Sequence, residues 1–169
     1  STPDPNDFDN SGTLRMVNPV TLDSVTLGNT RQGNYETTVV PGTYDIYYSV
    51  SQYDGAVPRN GNALVASGVE IANNVDYDID VPAVLVSGAI TVGGNVPDAN
   101  DFDNSGTLYL RNAETGDGVT LGSTRNGSYS MVVVPGTYDV YYSVSQYDGL
   151  VPRNSNAPLQ SGVQIQGNT

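Results

Sequence analysis

Cysteine, histidine, lysine and tryptophan are all missing from this chain of 169 residues. Without cysteine no disulfide can staple the fold, so stability must come from packed cores, turns or bound ions. Without histidine, cysteine and lysine the chain lacks the commonest general base, the thiolate nucleophile, the Schiff-base amine and the usual zinc ligands, and no enzyme is expected. Positive charge is scarce as well. Six arginines face 18 acidic residues, giving a net charge of −12, which argues against nucleic acid or an anionic bilayer as partner and leaves cations as the natural counter-charge. No run of about 18 apolar residues is present, so membrane insertion is not expected, and no signal peptide precedes the chain at Ser1, which reads as a mature or excised piece.

What the chain does contain is a copy of itself. NDFDNSGTL at 6–14 returns at 100–108 and VVPGTYD at 39–45 returns at 133–139, a displacement of 94 with no gap. About two thirds of the paired positions in 1–75 and 95–169 are identical. Copied modules build length or multiply weak sites. The expected domains are therefore 1–82, which lacks its own first strand, and 83–169, which lacks its own last.

Richness in Gly, Asn, Asp, Thr, Val and Tyr, with no apolar pattern at helical spacing, predicts an all-β fold. In the second repeat the predicted strands cover 85–92, 106–112, 118–122, 128–134, 137–144 and 161–166; a seventh, VDYDIDV at 75–81, is visible in the first repeat alone. The period of two in TYDVYYSV turns Tyr138, Val140, Tyr142 and Val144 to the core. The same rule sends Tyr77 and Ile79 inward and lines Asp76, Asp78 and Asp80 along an outer edge. Pro-Gly at 41–42 and 135–136 marks a tight turn, with positive φ at the glycine if the turn is type II.

GSYSMVVVPGTYDVYYSV, followed by the closing strand pair seen in SGVEIANNVDYDIDV, resembles the carboxypeptidase regulatory-like and Cna protein B-type modules. The resemblance covers most of each repeat. It implies two tandem prealbumin-like (transthyretin-like, Ig-like) antiparallel β-sandwiches, and it implies the role of a spacer, stalk or accessory module in a secreted or cell-surface protein, as in large secreted proteins of bacteria. The Lys to Asn isopeptide bond of the pilus modules is excluded, because there is no lysine.

Two sets of side chains invite chemistry. DPNDFDNSG at 4–12 and DANDFDNSG at 98–106 reproduce the first half of an EF-hand-type loop, with oxygens at alternate positions and a glycine for the bend. The bidentate Glu is absent: position twelve is Asn18 or Asn112. A β-sandwich calcium site is still open, with Asp4, Asp7, Asp9, Ser11 and Asp54 in one repeat and Asp98, Asp101, Asp103, Ser105 and Asp148 in the other. The competing expectation is that these residues form Asx turns. Strand parity gathers the acidic loop, the Arg31 turn and the loop of Asp54 and Arg59 at one end, where two arginines would compete with a cation. It also sets that end against the Glu114 and Asp117 turn of the next module, across a short, stiff linker containing Pro82. A cation could bridge the two.

The second set is aromatic. Tyr47, Tyr53, Tyr141 and Tyr147, beside Asp, Asn and Arg, would suit a carbohydrate-binding face; the alternative is that tyrosine fills a small core or packs on a neighbouring module. Either the missing terminal strands mark a piece cut from a longer array, or neighbouring chains supply them by strand addition and so build a filament. The sequence-level expectation is a structural and adhesive repeat with calcium as ligand, and a glycan-binding module as the alternative.

Overall fold

In the computed structural model, which describes residues 4–166, the chain is all-β with three antiparallel sheets and no α-helix among the described residues. Ten strands follow in order: β1 Ser11–Val17, β2 Ser24–Asn29, β3 Gly42–Gln52, β4 Ala63–Ile71, β5 Val84–Ala89, β6 Ser105–Asn112, β7 Gly118–Ser123, β8 Ser128–Val133, β9 Gly136–Gln146 and β10 Ser155–Ile165.

The first half forms a four-stranded sheet of order β2-β1-β3-β4, and the second half one of order β10-β9-β6-β7. These are the same arrangement. Thr13 faces Asn29 as Thr107 faces Ser123, and both ladders carry an irregularity one residue later, between Leu14 and Arg15 and between Leu108 and Tyr109. The third sheet belongs to the second half alone: β5 pairs antiparallel with β8 from Val84 opposite Val133 to Ala89 opposite Ser128.

Each large sheet buries one face, and tyrosine contributes to both cores. Alternation turns Tyr44, Ile46 and Tyr48 inward from β3, and Tyr138 and Tyr142 inward from β9. A buried phenol needs a partner for its hydroxyl. Tyr48 donates to the Pro58 carbonyl at 2.8 Å and Tyr142 to that of Pro152 at 2.7 Å; Tyr44 and Tyr138 likewise donate to Val40 and Val134. Burial pushes the Tyr48, Tyr138 and Tyr142 hydroxyls up from the usual phenol range, with the Asp117 charge adding to the rise at Tyr138 and the Asn60 hydrogen bond opposing it. The Tyr48 and Tyr142 rings lie flat over Gly12 and Gly106, where a Cβ would sit 2.1 Å from a ring carbon.

Four expectations need correction. Residues 75–81 are not a strand, and neither are 34–40, the counterpart of the strand predicted at 128–134. The strand expected at 161–166 begins six residues earlier, because its ladder continues through kinks in register; at one of them Gly162, with positive φ, donates its N–H to Asp139. Gly42 and Gly136 open β3 and β9 without positive φ, so no type II turn forms there. At Gly136 the glycine is needed instead for close approach, since a Cβ would lie 3.2 Å from both Asn112 and Tyr138.

Candidate interaction site

The acidic loops are built as capped turns. Asp4 accepts the Asn6 N–H at 2.9 Å, and Asp7 accepts the backbone and side-chain N–H groups of Asn10; Asp98 accepts the Asn100 N–H likewise, and the Asp101 carboxylate accepts the Asn104 side-chain N–H while its carbonyl takes the Asn104 backbone N–H. Asn10 Oδ1 then reaches across to the next loop and takes the N–H of Asp54 and of Ala56, as Asn104 does for Asp148 and Leu150. Arg31 closes the third side. Its guanidinium lies 4.3 Å over the Phe8 ring and donates to the Pro5 carbonyl at 3.1 Å, and Arg125 does the same on Phe102 and Ala99. The three loops expected at one end are therefore together, tied by Asn and Arg rather than by carboxylates around an ion. Asp9 and Asp103 point to solvent, Ser11 and Ser105 are buried at strand starts, and Asp54 and Asp148 contribute backbone N–H groups. Among the described residues no three acidic groups converge on a point that could hold a metal.

Arg59 goes elsewhere. The loop 53–62 leaves the acidic cluster and docks on the second half, which the short linker places against it. The Arg59 N–H donates to the Val132 carbonyl at 2.9 Å, while Tyr53 Oη accepts the Val132 N–H at 3.3 Å, extending the outer edge of β8. Asn60 is fully buried at the centre. Its Oδ1 accepts the Val134 N–H at 2.7 Å, and its Nδ2 donates to Asp117 Oδ2 and, at 3.0 Å, to Tyr138 Oη. Asp117, 2% exposed, takes a further N–H from Asn62 at 2.7 Å. Every side-chain polar atom of this pair has a partner, so the joint is satisfied and specific. Apolar packing crosses it too: Val134 joins the first core and Tyr53 packs against the second. The end-to-end meeting with the Asp117 turn is as the strand parity implied, but amide donors occupy the place imagined for a cation. Asn60 is the joint residue that sequence reasoning missed, and its only signal was an uncharged position inside a loop present in both copies, PRN at 58–60 and 152–154.

The four tyrosines expected to form a sugar face are dispersed. Tyr53 is in the joint, under Arg59 at 5.1 Å; Tyr47 packs with Arg15; Tyr141 stacks on Tyr109 with ring centres 5.5 Å apart; Tyr147 is 47% exposed beneath Arg153.

The remaining feature is an open groove in the first half, with a volume of about 1140 Å³. Its floor is the core face of the sheet, including Met16, Leu27 and Ile46, and its walls are the segments 35–41 and 71–77. The Tyr35 hydroxyl donates across the opening to the Tyr77 carbonyl. Partial burial, then the nearby Asp78 charge, push that hydroxyl up from the ordinary phenol range.

No family model matches the chain, and neither a curated protein nor a solved structure does. The candidate site thus rests on geometry alone.

Proposed function

We propose that the chain is a structural and adhesive repeat of a secreted or cell-surface protein, built as two tandem prealbumin-like sandwiches of 94-residue period stacked end to end as a stiff spacer. The observation that carries this reading is the Asn60–Asp117 joint. Flexible inter-domain contacts are polar, wet and small, whereas here a fully buried amide and a buried carboxylate are satisfied across the boundary and each core takes a residue from the other half. Such a joint fixes the angle between modules, and repeating it makes length. The acidic surface keeps neighbouring rods apart in solution. Bacterial origin and an extracellular setting come from the resemblance of the Pro-Gly-Thr-Tyr strand pair.

Because the chain has no cysteine, a label pair at Thr21→Cys and Gln160→Cys is unique, and both sites are exposed. Spin-label distance measurements should give one narrow distribution, which Asn60→Ala broadens. A broad distribution in the parent chain refutes the stiff-spacer reading.

Glycan binding is the second reading, and the stacked Tyr109–Tyr141 pair on the outer face of the second sheet favours it. A glycan array read with and without Tyr141→Ala tests it; no parent-chain signal removes it.

Calcium at the acidic loops is a separate proposal, which chelation tests directly.

A further inference from the structure

The two halves share a sequence, and only one has a second sheet. In the second half β5 lies along β8 and closes the core with Val84 and Val86. Displaced by 94, β8 becomes residues 34–39, which have no strand partner among the described residues and wall the open groove. The opposite wall is 71–77, which bends at 72–74, so the open place has a non-strand segment on each side and an apolar floor below.

We propose that this groove is a strand-acceptor site whose occupant is an extended polypeptide segment of β5 chemistry, as carried by a repeat of the same kind. The chain itself shows what such a strand must look like. Transferring the β5–β8 register puts its residues equivalent to Val84, Val86, Gly88 and Ala89 opposite Val39, Thr37, Tyr35 and Asn34. Alternate positions, equivalent to Val84, Val86, Gly88 and Ile90, face inward, and Ile90 in its own half is buried. The Gly88 position is the most demanding. Tyr129 lies so close that a Cβ there would meet its hydroxyl at 2.8 Å and its ring at 2.9 Å. Tyr35 is the counterpart of Tyr129, so the incoming strand needs glycine opposite Tyr35. The groove walls carry Glu36 and Asp76, which disfavours an acidic strand. Entry replaces the Tyr35–Tyr77 bond by ladder hydrogen bonds on both walls.

This rests on reading the chain as one of a series of stacked repeats, yet its test is independent of rod stiffness. The probe is a fluorescent peptide of residues 83–92, AVLVSGAITV, titrated into the intact chain and followed by anisotropy, with amide exchange of 34–40 read in parallel. Saturable binding is expected, with slowed exchange across 34–40. The peptide carrying Gly88→Val should bind about tenfold or more weakly, a difference of about 1.4 kcal/mol. Tyr35→Phe, which removes the latch and keeps the ring, should bind the parent peptide at least as well. Equal binding of a scrambled peptide, indifference to Gly88→Val, protection appearing elsewhere, or a self-associated chain whose groove the peptide cannot enter would each overturn the proposal. Label distances that stay narrow while the peptide fails would refute the acceptor site and leave the spacer reading standing.

Discussion

Residues 34–39 and Ser128–Val133 are equivalent stretches of the repeated sequence, yet the second is a strand with Met131 and Val133 buried and the first is irregular chain with Thr37 exposed. Part of the difference is written in the copies, since Thr37 and Thr38 replace Met131 and Val132. The larger part is the neighbour. A strand needs a ladder partner and a covered face, and β5 supplies both in the second half. The joint tells the same story from its other side: Val134 is 3% exposed beneath the 53–62 loop, while its counterpart Val40 is 74% exposed. The second half is completed by the segment that precedes it.

The contrast can be broken most forcefully at the second sheet. Met131→Ala should lower stability by about 3 kcal/mol, as for other large-to-small changes in a core, whereas Thr37→Ala should stay within about 0.5 kcal/mol; denaturant unfolding checks both. At the joint, Asn60→Ala strips a donor from buried Asp117 and an acceptor from Val134 and should cost about 2 kcal/mol. Asn154→Ala, the same change at an exposed position, should cost less than about 0.5 kcal/mol. Equal losses at the two sites would dissolve the distinction between an occupied and an open module end.

Alkaline titration tests what the halves share. Tyr48 in one core and Tyr138 and Tyr142 in the other hold their protons more tightly folded than unfolded. Their contribution is complete below the unfolded phenol value of about 10 and is lost as pH rises beyond it, so the unfolding midpoint should be unaffected by these groups up to about pH 10 and then fall. The smallest effect is expected from calcium. Because Asp4, Asp7, Asp98 and Asp101 act as turn caps and the loops are tied by Asn10, Asn104, Arg31 and Arg125, adding calcium or EDTA should shift the melting temperature by less than about 2 °C. A larger shift would favour calcium at these loops over turn capping alone.

The all-β fold, the inward tyrosines of β9 and the gathering of three loops at one end were legible, because period-two alternation and chain parity are local properties repeated twice. The acidic loop was legible as a loop but not in its chemistry, since Asp-x-Asp spacing serves an Asx turn as readily as an ion. Residues 75–81 alternate as well as any strand in the chain, with Ile79 half-buried, and still form no ladder. Alternation reports which face is apolar, not whether a partner is present. The Asn60 joint was invisible for a related reason: a buried amide satisfied across a module boundary has no pattern along the chain, only a partner 57 residues away.

The measurement closest to the central claim is amide hydrogen exchange resolved along the two equivalent segments. The account predicts slow exchange across 128–133, governed by global unfolding, and exchange across 34–39 faster by about a hundredfold or more, as for backbone without a ladder. Equal protection in the two segments would mean that the first half already has its second sheet, and would contradict it.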